Sequence, residues 1–158
     1  MKLNIIANPS ECKEGYAHFP ALRIFVPQEH HFIDELPING TVDEILALDF
    51  LDFMLPDSQE YWVQRLCDLL KLGGEINIGC LDLYEVAYGL MSNSIGAEDA
   101  NLLLHGEPQG KMYNASKTGQ KFATHHLNWL IGQLEKNGLK VTRKKHYKYQ
   151  AIVKAVKV

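Results

Sequence analysis

Residues 42–80 constrain the fold of this chain more than any other stretch. Val42-Asp43-Glu44-Ile45-Leu46-Ala47-Leu48-Asp49-Phe50-Leu51-Asp52-Phe53 opens as an apolar run and turns acidic at its end. A stretch with helical spacing follows, capped by Asp57 or Ser58, in which Tyr61, Trp62, Arg65, Leu66, Leu69 and Leu70 recur at intervals near three and four. Leu70-Lys71-Leu72-Gly73-Gly74 ends it, with Gly73 suited to the left-handed position that closes a helix. Glu75-Ile76-Asn77-Ile78-Gly79-Cys80 then reads as a strand. Strand, acidic turn, helix, double glycine and strand make a βαβ unit. Such units build open α/β sheets, whose ligands sit at the carboxyl ends of the strands.

The flanking segments extend the same pattern. Lys2–Ala7 has the apolar density of a first strand, and Asn8-Pro9-Ser10 stops it because Pro9 has no N–H for a ladder. Ala21–Pro27 reads as a second short strand. Only about a dozen residues separate the two, near the minimum for a parallel crossover. Asp43–Asp49 is the third strand, with Ile45, Ala47 and Leu48 buried. Leu83–Met91 is a helix, and a short one is expected at Glu98–Leu104. The polar, glycine-bearing stretch 92–120 is long for a plain connection. Thr124 is expected to cap a helix over His125–Asn137, and Asn137-Gly138 ends it. Lys140–His146 and Gln150–Val158 then pair through a turn near Tyr147-Lys148-Tyr149. The chain reads as one domain, residues 1–158. The expected architecture is a three-layer α/β sandwich with a mostly parallel sheet and one antiparallel strand near the carboxyl-terminal edge.

Composition narrows the classes. A hydrophobic content of 46% and a charged content of 22% are globular values. No apolar run reaches the ~20 residues of a membrane span, and the first residues lack a signal-peptide pattern. Cys12, Cys67 and Cys80 have no metal-site spacing and read as reduced thiols of a cytoplasmic protein. The net charge of −3 hides an asymmetry: residues 1–110 hold eighteen acids against five Lys or Arg, and residues 111–158 hold eleven Lys or Arg against one acid, Glu135. Either the halves neutralise one another, or the carboxyl half presents a basic face to a nucleic acid or another anionic partner.

Several blocks carry a family resemblance. Lys2-Leu3-Asn4-Ile5, Glu14-Gly15-Tyr16, Asp43-Glu44-Ile45 and Leu70-Lys71-Leu72-Gly73-Gly74 resemble, in order, motifs of small bacterial and phage class I methyltransferases that depend on S-adenosylmethionine. The resemblance implies a Rossmann-like methyltransferase fold and methyl transfer to a small or sugar-like acceptor. It places the cofactor at Ile6, Ala7, Asn8, Pro9, Asp49 and Phe50, and a substrate-closing loop around His105, Tyr113 and Lys117. The cofactor motif is degenerate. The family's Gly-Cys-Gly turn is Ile6-Ala7-Asn8 here, and its acidic residue after the second strand falls at Pro20. Glycine lets the backbone approach the cofactor closely, and the acid grips ribose hydroxyls. The alternative is therefore a non-catalytic derivative that keeps the sheet as a binding or assembly module and binds S-adenosylmethionine weakly.

Other chemistry has less support. Asp49 reads either as an acceptor for a ligand amine or hydroxyl or as a solvated edge acid. Asp52 reads as a ligand group or as a turn residue. His30-His31 and His125-His126 lack a chelating spacing, so no metal is expected. Neither a Gly-x-Ser-x-Gly elbow nor a phosphate-loop lysine motif is present.

Overall fold

The computed structural model describes residues 1–6, 13–20, 36–48, 50–54, 56–106 and 125–158. Among them are six strands: β1 (Lys2–Ile6), β2 (Ala17–Pro20), β3 (Val42–Ala47), β4 (Leu70–Leu81), β5 (Leu139–Tyr147) and β6 (Gln150–Lys157). Four α-helices accompany them: α1 (Pro56–Leu69), α2 (Leu83–Met91), α3 (Ala97–His105) and α4 (Leu127–Lys136). The strands form one sheet in the order β2-β1-β3-β4-β6-β5. β2, β1, β3 and β4 pair in parallel, while β6 is antiparallel to both β4 and β5. The one reversed strand therefore lies second from the carboxyl-terminal edge, as the sequence reading expects. The chain steps from β1 out to β2 and returns to the other side of β1 with β3. The β1/β3 junction is thus the switch point, where an open α/β sheet places its crevice.

Alternation along the strands decides which face is covered. Leu3 pairs with Ile45, Ile45 with Ile76, and Ile76 with Ala155, so these four share one face. Ile5, Ala47, Ile78 and Val153 extend that face, and all of these residues are buried. Val63, Leu66, Cys67 and Leu69 of α1 and Leu130 and Leu134 of α4 pack into the same core. Each such side chain contributes about 1.5–3 kcal/mol when removed from water. Ile24 and Val26, expected in the core, lie outside the described residues.

Several expected boundaries move, and α1 already starts at Pro56, so Asp57 and Ser58, expected as its cap, lie inside its first turns. The strand beside β1 is Ala17–Pro20, ahead of the expected Ala21–Pro27, which lies outside the described residues. Gly15 (φ 81°) makes the turn that starts β2 early, and Phe19 anchors it in the core. Helix α1 ends at Leu69, and β4 begins at once with Leu70 paired to Val42. The register then slips between Val42 and Glu44, so Gly73-Gly74 serve an irregularity inside β4 instead of a helix end. Gly73 supplies a φ of 76°, and a Cβ on Gly74 would stand 2.9 Å from the Lys71 carbonyl oxygen. Helix α4 starts at Leu127 with His126 as its N-cap, two residues later than the His125 start expected from a Thr124 cap. The His126 ring nitrogen Nδ1 accepts from the Trp129 N–H, which takes over the capping role.

Candidate functional site

At the carboxyl edge of the sheet, β4 leaves at Leu81 and the next residue, Asp82, is buried. Its extended backbone (φ −94°, ψ 112°) makes it the N-cap of α2, where it accepts from the Tyr84 N–H at 2.9 Å. Its other oxygen accepts from Leu127 N, the first residue of α4, at 3.1 Å and from His146 Nε2 at 3.0 Å. One carboxylate thus ties together two helix amino termini and the end of β5. Negative charge is electrostatically favoured where two helix amino termini converge.

His146 reaches this carboxylate because β5 and β4 run the same way across β6. His146 and Cys80 both pair with Ala151, so the ends of the two strands lie level. With its Nε2–H given to Asp82, the imidazole turns Nδ1 outward, 3.9 Å from Glu85 Oε1. Asp82, Tyr84, Glu85, His126, Leu127, Asn128 and His146 line a cavity of about 270 Å³. His126 uses Nδ1 as the α4 cap, so its Nε2 keeps the proton, and its ring stacks at a tilt on Tyr84, 5.2 Å between centroids. The pocket therefore offers a donor at His126, acceptors at His146 and Glu85, and an aromatic wall at Tyr84. That set suits a small polyhydroxylated molecule, and the Asp-held imidazole can take a proton from a hydroxyl.

A second buried polar layer fixes this edge from beneath. Asp52, in the 3-10 turn Leu51–Phe53 that follows β3, accepts from Leu81 N at 2.8 Å and is 1% exposed. It pins the exit of β3 to the end of β4, the turn role of its two readings. Gln59 of α1 donates its amide to the carbonyls of Leu51 (3.0 Å) and Met54 (3.4 Å), leaving its carbonyl for the Nε2–H of His125. His125 lies flat on Trp129, 3.5 Å between centroids. Burial first, and the neighbouring His126 second, hold its pKa below the usual histidine value.

Of the residues expected to form the cofactor site, Ile6 ends β1 with its backbone paired to Pro20. Phe50 is wholly buried, its ring edge-on to Trp62 at 6.1 Å. Ala7, Asn8, Pro9 and Asp49 lie outside the described residues. Of the expected substrate loop, His105 is exposed at the last position of α3, while Tyr113 and Lys117 lie outside the described residues. The Asp82–His146 pair is not apparent from sequence reasoning. An Asp between the end of a strand and the start of a helix is the one signal that points to Asp82. His146 lies 64 residues away with no local signature.

No protein-family model matches this sequence, and neither does any curated protein. Solved structures do share its architecture. An S-adenosylmethionine-dependent methyltransferase from Methanosarcina mazei superposes with a TM-score of 0.58 at 10% identity, covering 99% of this chain and 92% of its own. The fold is the Rossmann-like methyltransferase fold. The 1,6-didemethyltoxoflavin-N1-methyltransferase of Burkholderia thailandensis, solved with 1,6-didemethyltoxoflavin and S-adenosylhomocysteine bound, gives a TM-score of 0.56 at 11% identity over 99% of this chain and 71% of its own. An O-methyltransferase family protein from the same organism gives 0.50 at 13% identity over 90% of this chain. This chain spans only 35% of that protein's length. In this methyltransferase fold the Asp82–His146 pocket lies at the carboxyl edge, on the β4 side of the switch point.

Proposed function

We propose that this chain is a methyltransferase-like protein that holds a small or sugar-like acceptor in the Asp82–His146 pocket. The observation that carries the reading is a buried carboxylate fixing an imidazole at the rim of a small cavity, at the carboxyl edge of a methyltransferase fold. Asp82 accepts from Nε2–H and so orients the imidazole, which leaves Nδ1 as an acceptor for a hydroxyl of the bound molecule. Holding an acceptor still is the larger part of methyl-transfer catalysis.

S-adenosylmethionine is the methyl donor this fold implies. The residues present do not fit it. β1 and β2 end side by side at Ile6 and Pro20, and proline has no side-chain acceptor for ribose hydroxyls. Ten residues join the two strands, and their one glycine, Gly15, sits at the far end, next but one to β2. We therefore derive no step through the cofactor. This mismatch supports the second reading, a non-catalytic protein of one domain that uses the pocket or the sheet for binding or assembly. Free Cys67 and Cys80 suit a reducing compartment such as the cytoplasm in either reading.

Isothermal titration with S-adenosylmethionine separates the two. We expect a Kd on the order of 1 mM or weaker, under about 4 kcal/mol of affinity. Micromolar binding by the unaltered protein would refute the damaged-site reading and make the enzyme reading the better one. Binding gained only after Ile6→Gly, Ala7→Cys and Asn8→Gly together would identify a methyltransferase fold without its cofactor.

A further inference from the structure

Outside the pocket, the distribution of positive charge is uneven. Most other described lysines have a local partner. Lys2 pairs with Glu44, Lys71 with Asp43, Lys136 with Glu60 and Lys154 with Glu75, and Lys157 donates to the Cys67 carbonyl. Lys136 and Lys154 thus neutralise acids of the amino-terminal half, as one reading of the charge asymmetry expects. The β5 edge is different. Among the described residues, no ion pair joins Lys140, Arg143, Lys144, Lys145 or Lys148 to an acid. All but Lys148 lie on the outermost strand of the sheet, Lys148 is in the turn that follows, and all five are exposed.

The geometry sets Lys140, Arg143 and Lys145 in a line on one face of β5, with Lys148 beside it in the turn. Arg143 pairs with Lys154 and Lys145 with Ile152, on the face opposite α1 and α4. Lys144 pairs with Val153 and so projects to the helix side. Same-face neighbours along a strand stand about 7 Å apart. The line ends at Tyr147, which is 57% exposed and flanked by Lys145 and Lys148, whose ammonium groups lie 5.9 and 5.7 Å from its ring. Charged side chains, lysine above all, keep an edge strand from pairing with another sheet. Three cations in line, Lys148 beside them and an exposed aromatic between cations form a more ordered array than that guard requires.

We propose that the β5 edge binds single-stranded nucleic acid, with the cations tracking the phosphates and Tyr147 stacking on a base. The linear charge array suits a linear polyanion, and the exposed ring between cations favours a nucleic acid over an acidic protein, which has no bases to stack. This goes beyond the pocket reading and does not depend on it.

The test uses the chain of residues 1–158 and a fluorescein-labelled single-stranded DNA of about 20 nucleotides, followed by anisotropy. Engagement of about four phosphates predicts that affinity falls about 50-fold between 50 and 200 mM salt. Replacing Arg143 and Lys145 by Gln should flatten the log–log salt slope by about 1.4, with Lys144→Gln nearly silent, and Tyr147→Ala should weaken binding about tenfold. Circular dichroism checks that the variants stay folded, which their exposure makes the expected result. Two outcomes overturn the proposal. One is no binding at 50 mM salt, which leaves the charges to guard the edge. The other is competition by poly-glutamate as strong as by DNA, with Tyr147→Ala silent, which assigns the edge to an acidic protein.

Discussion

Asp82→Ala removes the acceptor shared by two helix starts and one strand end, and its cost follows from the contacts. The Tyr84 and Leu127 N–H groups each lose a partner at 2.9 and 3.1 Å. Both are half-buried, so water recovers part of the loss, leaving about 1 kcal/mol for each. The bond from His146 at 3.0 Å adds about 1 kcal/mol, because its acceptor is a buried carboxylate and its donor is partly exposed. The sum is about 3 kcal/mol, which in a chain of this length lowers Tm by roughly 6–12 °C. Asp82→Asn keeps one oxygen to accept from one helix start and should cost about half as much. Thermal unfolding followed by far-ultraviolet circular dichroism measures both. A Tm drop under about 2 °C for Asp82→Ala would show that the three elements are held by apolar packing alone. The Asp82–His146 bond is isolated by a double-mutant cycle with His146→Ala, where a coupling near zero would remove the basis for an oriented imidazole.

Three further outcomes follow from buried groups. Burial holds the Cys67 thiol up at about 12, and burial again raises Cys80, with Asp52 and Asp82 adding to it, so neither should react with a thiol reagent at pH 8 until the protein is unfolded; rapid labelling of either under native conditions counts against the core described. His125 has a folded pKa below its unfolded value of 6.5, so the stability tied to its neutral form is complete above that value and declines as pH falls through 6.5 toward the folded pKa; calorimetry from pH 8 to 5 should show a falling Tm, with a shallower fall in His125→Asn, and equal slopes would refute the assignment. Gly79→Ala places a Cβ 2.6 Å from the Leu48 carbonyl oxygen and 3.3 Å from that of Ala151, so it should cost about 1–3 kcal/mol in urea unfolding as β4 is pushed from its neighbours, and a neutral result would mean that the strand ends shift freely.

Much of the sheet is legible in the sequence because burial on one face leaves a period-two record. Ile45, Ala47, Ile76 and Ile78 sit at alternate positions, and all four are fully buried on adjacent parallel strands. The adjacency of β1 and β3 follows from the order of elements, since a sheet that reverses direction must do so somewhere near its first strand. Boundaries are harder where two physical uses compete for one residue type. Gly73 has the positive φ that a helix end would need, but that φ is used four residues beyond the end of α1, in a strand irregularity. The sequence points to Thr124 as the cap, and tertiary contacts move the start: His125 is drawn to Gln59 and Trp129, which leaves His126 to cap α4.

The candidate site is much less legible, for a related reason. Cofactor motifs are local in sequence because a turn must fit a phosphate or an amino acid, so a stretch such as Ile6-Ala7-Asn8 can be compared with one directly. The Asp82–His146 pair depends on register instead. Cys80 and His146 share Ala151 as a partner only because β6 lies between β4 and β5 and runs opposite to both. A slip of one residue in either ladder would turn His146 to the other face of the sheet and separate the pair. A short spacing rule cannot encode that dependence. The Asp82–His146 pair is thus a site that the fold creates and that no local motif announces.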